Sequence, residues 1–276
     1  MKNYTYLFIA FLLVPFLGIS QIQETDSIVD KPERAAFESS YIIDMPTDIL
    51  PIKNTLEIQM GHRFGLVNGG TNDLIGFWAP SNIRIGFTYS VHDRITLGFG
   101  TTKFNRLQDF NWKAMILRQT RSDRIPVNVS YFGNFTIDAR AKENFRYLED
   151  RYSYFHQVII SRRFNSKLSL QISPSFSHYN VVPETMGNDL FAASLGGRYK
   201  VSPQTSILLE YTQPFDSDPE PGFGLGVEFR TSSHAFQLII SNYQGIVPQR
   251  NIMFNQNDFF SGDFLIGFNI TRLYNF

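Results

Sequence analysis

The chain has 276 residues and carries 25 basic and 25 acidic side chains, so no basic excess predicts nucleic acid as a partner. It contains no cysteine, which excludes disulfides and thiolate metal sites. Aromatic residues are abundant, with 27 Phe and 13 Tyr, and their spacing along the chain bears on the fold.

Residues 1–20 have the composition of a secretory signal peptide. A basic residue near the start precedes a mostly apolar stretch over 7–17, and Gly18 and Ser20 supply the small residues of a cleavage site. The apolar stretch is shorter than the roughly 20 residues that a membrane-spanning helix needs. We therefore expect residues 1–20 to be removed on export.

The next segment, residues 21–52, divides into two halves of different character. The first half, QIQETDSIVDKPER, is charged and predicted to be flexible. The second half, AAFESSYIIDMPTDILP, is too apolar for a solvated tail. We expect this second half to pack against the domain that follows, and a disordered leader is the alternative.

From residue 53 onward, bulky residues alternate with small or polar ones in segments of about ten residues. This period of two is the pattern of β-strands that have one apolar face. It is clear in LEIQMGHRF, IRIGFTYSV and the C-terminal GDFLIGFNITRLYNF. Three segments are less regular: 109–119, 154–164 and 234–242. All segments together predict twelve strands.

The segments between these strands alternate in length along the chain. The longer ones are 65–81, 103–108, 138–153, 179–189, 213–221 and 243–262, and the shorter ones are 91–94, 120–125, 165–167, 201–205 and 230–234. Tight turns at one end and longer loops at the other are typical of outer-membrane barrels, whereas a soluble β-sandwich, the alternative, has no reason to sort its loops. We therefore predict an all-β fold, a closed antiparallel transmembrane β-barrel of about 12 strands over residues 53–276. Its short turns would be periplasmic and its longer loops extracellular, in the outer membrane of a Gram-negative bacterium.

The chain ends inside its last predicted strand, on Tyr274 and Phe276. A closed barrel pairs its last strand with its first, so that a terminal strand leaves no exposed edge. A terminal aromatic is also the feature by which barrel assembly machinery selects its clients. We expect Tyr274 and Phe276 to form that signal, with the assembly machinery, periplasmic chaperones and outer-membrane lipid as partners.

Several stretches together resemble a known family: RAAFESSYIID, LEIQMGHRFG, APSNIRIGFTYSVHDRITLGFGTTKFNRLQDF and RIPVNVSYFGN. They are similar to a domain-of-unknown-function family of outer-membrane β-barrels from Gram-negative bacteria. The resemblance runs from about Arg34 to the C-terminus, and residues 79–110 are its most specific part. It implies the barrel and its location, but it carries no activity and no catalytic residues.

Residues for catalysis or metal binding do not form a pattern. The five histidines lie on different segments, and none has the spacing of a metal-binding pair. The glycines of GFGLGVEF recur every second residue, so they share the inward face, where a missing side chain leaves space in the lumen or lets a plug approach. We therefore predict no enzyme, no metal and no cofactor.

The inward face of the predicted strands holds charges of both signs. These lumen-lining candidates are Glu57, Arg63, Arg84, Lys113, Arg198, Lys200, Glu210, Glu228 and Arg230. Charges inside a barrel need hydration or partners. They either line a water-filled passage or satisfy one another in a closed lumen, and twelve strands leave both open.

Two functions follow from these alternatives. The first is a narrow, porin-like channel for small hydrophilic solutes. The second is a non-transporting barrel that acts as a structural, docking or envelope-assembly component. Residues 21–52 bear on the choice, as a lumen plug or as a segment at the periplasmic mouth.

Overall fold

The computed structural model describes residues 30–216 and 218–276. The predicted signal peptide and the first nine residues of the 21–52 segment lie outside the described residues. Within the described ranges, no helix is long and apolar enough to span a membrane.

Twelve antiparallel strands form one closed sheet, which confirms the predicted barrel. Each strand pairs with its neighbours in sequence, and the last strand pairs with the first. The strands are β1 (Thr55–Leu66), β2 (Asn82–His92), β3 (Ile95–Thr102), β4 (Leu107–Leu117), β5 (Asn128–Asp138), β6 (Tyr152–Arg163), β7 (Leu168–Tyr179), β8 (Asp189–Lys200), β9 (Thr205–Pro214), β10 (Gly222–Arg230), β11 (His234–Ser241) and β12 (Leu265–Asn275).

The closing pair of strands, β1 and β12, joins the two ends of the barrel domain. Thr55 lies opposite Asn275, and the register continues to Arg63 opposite Gly267 before it shifts. The start of β1 and the end of β12 therefore lie at the end of the barrel that carries most of the short turns. We assign this end to the periplasm and the opposite end to the exterior, as in bacterial outer-membrane barrels.

The period of two separates the two faces of the wall. On β7 the inward residues from 169 to 177 are all polar and buried: Ser169, Gln171, Ser173, Ser175 and Ser177. Outward residues of the barrel are apolar and exposed on its outer surface, such as Phe191, Leu195 and Leu238. An apolar exterior around a polar interior is the arrangement that a lipid environment requires.

The lengths of the connections follow the prediction with two exceptions, one at each end of β4. Between β3 and β4 the outer loop has shrunk to residues 103–106, because β4 begins two residues earlier than its sequence pattern suggests. The periplasmic connection between β4 and β5 covers residues 118–127 and is longer than this outer loop. The hydrogen bond from Thr120 N to Ile125 O (3.0 Å) closes the predicted turn, while the strand pairing stops short of it.

Two segments occupy the interior of the barrel. Residues 31–53, which we call the plug, enter from the periplasmic end and bury Ala36, Phe37, Ile42, Ile43 and Met45 against the inward side chains Leu208 and Ile239. The long connection 242–264 between β11 and β12 enters from the outer end and carries one helix, α1 (Pro248–Phe254). Its Ile252 and Met253 pack against the inward side chains Phe132, Phe155, Ile159, Leu190 and Ala192. Both segments bury apolar surface inside the wall.

Candidate functional site in the barrel lumen

The backbone of the plug is held at its start and folded back at its tip. Glu33 N donates to Gln119 O at 2.8 Å, so the plug begins as a short extension of the wall. Further on, Ile42 N donates to Met45 O (3.0 Å) and Thr47 N donates to Ser40 O (2.9 Å), which forms a tight hairpin. The tip of this hairpin, residues 42–45, reaches deep into the lumen.

Glu210 on β9 caps the hairpin tip. Its Oε2 atom accepts hydrogen bonds from three consecutive backbone N–H groups, those of Ile43 (3.2 Å), Asp44 (2.9 Å) and Met45 (2.9 Å). Turn N–H groups that point to one side form an anion-binding concavity. The predicted lumen carboxylate at Glu210 therefore fixes the conformation of the plug.

Arg63 on β1 forms a buried ion pair with the same tip. Its Nη2 lies 2.9 Å from Asp44 Oδ1, and the two side chains are 0% and 3% exposed. Arg63 Nη1 also donates to Asn269 Oδ1 at 3.0 Å, while Asn269 Nδ2 donates to Ile43 O at 2.8 Å. Because Arg63 lies on β1 and Asn269 on β12, the tip is bonded to both strands of the closing pair.

Glu38 is held by three cations of the wall near the periplasmic end. Its Oε1 lies 2.8 Å from Arg198 Nη1 and 3.6 Å from Lys200 Nζ, and its Oε2 lies 2.5 Å from Arg230 Nη1. We call these four residues the Glu38 clamp. One plug carboxylate thus engages three of the nine predicted lumen charges.

Two further wall carboxylates accept hydrogen bonds from plug serines. Ser40 Oγ donates to Glu57 Oε2 and Ser39 Oγ donates to Glu228 Oε2, both at 2.7 Å. Both carboxylates are buried on the inward face. Both contacts are with neutral hydroxyls, so the plug brings no opposite charge to either carboxylate.

The last two predicted charges differ in their partners. Lys113 Nζ donates to the plug carbonyl Ile49 O at 3.1 Å. Arg84 on β2, in contrast, makes a bidentate pair with Asp109 on β4 of the wall, at 2.8 and 2.7 Å, and also contacts Gln59 on β1. The structure thus places eight of the nine predicted charges against the plug and one in the wall, and their functional role stays a prediction.

Inward glycines make room for the apolar side of the hairpin. A Cβ atom at Gly196 would lie 2.2 Å from both Ile42 Cδ1 and Met45 Cε, which is far inside contact distance. A Cβ at Gly224 would lie 3.0 Å from Ile43 Cδ1. The sequence-based interpretation, that inward glycines let a plug approach, agrees with these distances.

The second insertion is fixed by one glutamine of α1. Gln249 is fully buried, and its Nε2 contacts Asn134 Oδ1 (3.0 Å), Thr136 Oγ1 (2.9 Å) and Ser153 Oγ (3.3 Å) on β5 and β6. Sequence reasoning missed this insertion. The signal was available in PQRNIMF, which places three consecutive apolar residues, Ile252 to Phe254, within the longest connection.

The plug and α1 meet inside the barrel. Met45 and Pro46 of the plug line the same cavity as Pro248 and Ile252 of the second insertion. That cavity is about 10 Å³, close to the room one water molecule needs. At this level of the barrel, plug and insertion together fill the lumen.

The histidines are dispersed over the described part of the barrel. His178 is engaged by Asp189 Oδ1 (2.6 Å) and Asn180 Oδ1 (2.9 Å), while its neighbour Ser177 faces the lumen. His156 contacts Tyr131 at 2.6 Å. Among residues 30–216 and 218–276, no group of three His, Cys, Asp or Glu side chains could hold a metal ion.

The C-terminal aromatics lie at the periplasmic end of the closing pair. Tyr274 lies opposite Leu56 on β1 and under the guanidinium of Arg272, 4.6 Å from its ring centre. Phe276 N donates to Asn54 O at 3.1 Å, and its side chain is exposed. Their role as an assembly signal stays a prediction.

Comparison with known proteins agrees with the fold. A family model described as "Membrane bound beta barrel domain (DUF5777)" matches residues 37–274, which include most of the plug and all of the wall except the last residue of β12. A search of curated proteins gave no match.

Solved structures similar to this chain are outer-membrane barrels. The NanC porin is 8% identical with a TM-score of 0.52, over 79% of this chain and 99% of that one. The KdgM porin is 6% identical with a TM-score of 0.49, over 80% and 99%. Outer membrane phospholipase A from Escherichia coli is 10% identical with a TM-score of 0.45, over 91% and 94%. At 8% identity, the likeness to the NanC porin shows the fold alone.

Proposed function

The chain belongs to the membrane bound β-barrel domain family DUF5777, as its sequence resemblance indicated, and from this premise we propose that it is a plugged outer-membrane channel for small hydrophilic solutes. In the structure described above the lumen is closed by the plug and by the 242–264 insertion. We propose that transport requires both segments to move. We also propose that the protein is not an enzyme and that the barrel reaches the outer membrane after removal of residues 1–20.

The observation that carries this proposal is the polar inner wall behind the plug. From Ser169 to Ser177 the inward residues of β7 are four serines and a glutamine, and Gln171 Nε2 donates to Pro46 O of the plug at 2.8 Å. A permanently closed barrel of this size could be filled with apolar side chains, which need no partners. Ser169 Oγ, Gln171 Oε1 and Ser177 Oγ have no hydrogen-bond partner among the described residues while the plug is in place, and water in an open lumen would supply partners for them.

The charges of the plug and the wall are complementary. Between residues 35 and 49 the plug carries three acids, Glu38, Asp44 and Asp48, and no base. The wall residues that contact it include five cations and three carboxylates: Arg63, Lys113, Arg198, Lys200, Arg230, Glu57, Glu210 and Glu228. Without the plug, the wall keeps an excess of positive charge, so we propose that the open channel favours anions.

Planar bilayer recordings of four purified proteins test the proposal. They are the mature chain, a chain that begins at residue 53, a chain in which Gly and Ser replace residues 248–254, and a chain with both changes. We expect little current from the first and stable, anion-favouring current from the last. The gel shift of the unheated barrel checks that each protein is folded.

A second function stays open, because α1 is held in the outer half by its own contacts with the wall, such as that of Gln249. A barrel sealed by two insertions suits a docking or structural role in the envelope. The same recordings separate the two functions. If the folded double variant carries no current, the channel is wrong and the docking role takes its place.

A further inference from the structure

The Glu38 clamp has more positive charge than its single carboxylate can match. Arg198, Lys200 and Arg230 all direct their cationic groups at Glu38, so two positive charges remain in excess at this point. Arg198 is buried, with a side chain that is 2% exposed, whereas the Arg230 side chain is 52% exposed. The clamp therefore has a buried half that is fixed in the wall and an accessible half.

A cavity leads to the accessible half. It measures about 170 Å³, and its lining includes the acids Glu38 and Glu57, the cation Arg230 and the hydroxyl residues Thr231, Ser232 and Ser233 of the β10–β11 turn. This turn lies at the end of the barrel that we assign to the periplasm. A small hydrated anion can therefore reach Arg230 without passing through the membrane.

We propose that the Glu38 clamp is an oxyanion site, at which a phosphate-class anion from the periplasm displaces Glu38 and releases the plug. Phosphate carries about 1.5 negative charges at neutral pH and several strong acceptor oxygens, so it matches three cations better than one carboxylate does. The planar fork of arginine binds phosphate oxygens in pairs. In this view Glu38 occupies the site as an internal ligand.

The inference rests on the proposed function, because release of the plug has a role only in a channel. The release itself can be measured without recording a current. Since the chain has no cysteine, a single Ala36→Cys change gives one thiol. Ala36 is fully buried in the plug, so a membrane-impermeant thiol reagent reacts there only after release. The probe is inorganic phosphate, added to the full mature chain in detergent or liposomes, with acetate and chloride at equal ionic strength.

We expect phosphate to raise the labelling rate with saturation. At ten times its Kd, mass action favours the released state by about 11-fold. Acetate and chloride should have much smaller effects, because neither carries the second charge. If all three anions raise the labelling rate equally, the effect is charge screening and the proposal is overturned. A labelling rate that does not respond to phosphate would overturn it as well.

Variants of the clamp sharpen the test. In the Ala36→Cys background, Glu38→Gln should label rapidly without phosphate and gain little from it. Arg230→Gln should lose most of the phosphate response. The matched control is Arg162→Gln, since Arg162 pairs with Asp123 on the outside of the wall at 2.8 Å. If Arg230→Gln responds to phosphate as fully as Arg162→Gln does, the clamp is not the site.

These results also separate the inference from the proposed function. Phosphate-dependent labelling without current in the double variant would keep the oxyanion site and exclude the channel. Current in the double variant with no phosphate-dependent labelling would keep the channel and exclude the site. The gel shift of each variant shows whether its barrel is intact, so a folding defect is not mistaken for either outcome.

Discussion

At the scale of single residues, the fit of the plug depends on positions where the wall offers either a charge or no side chain at all. Glu210 supplies the charge that three backbone N–H groups share. Gly196 supplies the space that Ile42 and Met45 occupy. The two kinds of position can be tested separately.

The first prediction concerns Gly196. A Gly196→Val change places atoms within about 2 Å of Ile42 Cδ1 and Met45 Cε, so the hairpin cannot seat in its present position. We expect Ala36→Cys in the plug to label much faster while the gel shift of the barrel is kept. Gly197→Val is the matched control, because Gly197 lies on the outward face next in sequence. Equal labelling of the two variants would contradict the predicted packing.

The second prediction concerns the ion pair between Arg63 and Asp44. Both side chains are buried, and removal of one partner from such a pair costs about 3–5 kcal/mol. We therefore expect Asp44→Asn to raise the fraction of molecules with a released plug, measured by the rate of thiol labelling in the Ala36→Cys background. The double change Asp44→Asn with Arg63→Gln should open the plug less than the two single effects combined, because no unpaired charge is left behind.

At the scale of elements, the strands could be predicted from the sequence because every second residue must face lipid. Their period of two is imposed by the membrane and is visible without any tertiary contact. The pattern blurs in β6 and β11, where Phe155, Ile159 and Ile239 face inward although they are apolar. These residues pack with α1 and the plug, so two of the three irregular segments, 154–164 and 234–242, mark places where an insertion meets the wall.

The candidate site was predictable only in part. Inward orientation of charges such as Glu57 and Arg198 follows from alternation alone. Their partners do not, because Ser40 and Glu38 belong to a segment without regular periodicity. A contact between distant parts of the chain depends on how the plug turns, and the turn is fixed by Glu210 in the tertiary structure.

The third prediction concerns the anchoring of α1. Gln249→Leu removes the donor that Asn134, Thr136 and Ser153 share, and leaves these buried groups with fewer partners, which costs about 1–3 kcal/mol. We expect faster hydrogen exchange over residues 242–264. Gln256→Leu serves as the control, since Gln256 is exposed. Protection that is unchanged in Gln249→Leu would mean that other contacts hold the insertion.

At the scale of the whole molecule, the barrel is one closed surface whose last residue adds little to the folded state. Phe276 contributes one backbone hydrogen bond, and its side chain is 81% exposed. An exposed residue of this kind changes the free energy of unfolding by no more than about 0.5 kcal/mol when it is replaced. Any larger effect must arise before the barrel closes.

The fourth prediction follows from this contrast. Phe276→Asp should leave the stability of the refolded barrel in detergent nearly unchanged, but it should lower the amount of barrel in the outer membrane of cells. Quantitative blots of outer-membrane fractions, compared with urea unfolding of the purified protein, measure both effects. Normal membrane levels of Phe276→Asp would contradict the assembly-signal role.

The bonds from the hairpin tip to both strands of the closing pair have a consequence for the order of folding. Thr55 and Asn275 are separated by 220 positions, and bringing the ends of such a chain together costs on the order of 5 kcal/mol in loop entropy. The plug directly precedes β1, so a tip already bonded to Arg63 presents the carbonyl of Ile43 to the incoming Asn269. The plug would thereby act as a template for the pairing of β12 with β1, the step that closes the barrel. We expect a chain that begins at residue 53 to refold more slowly into the gel-shifted form, even where its final yield is equal.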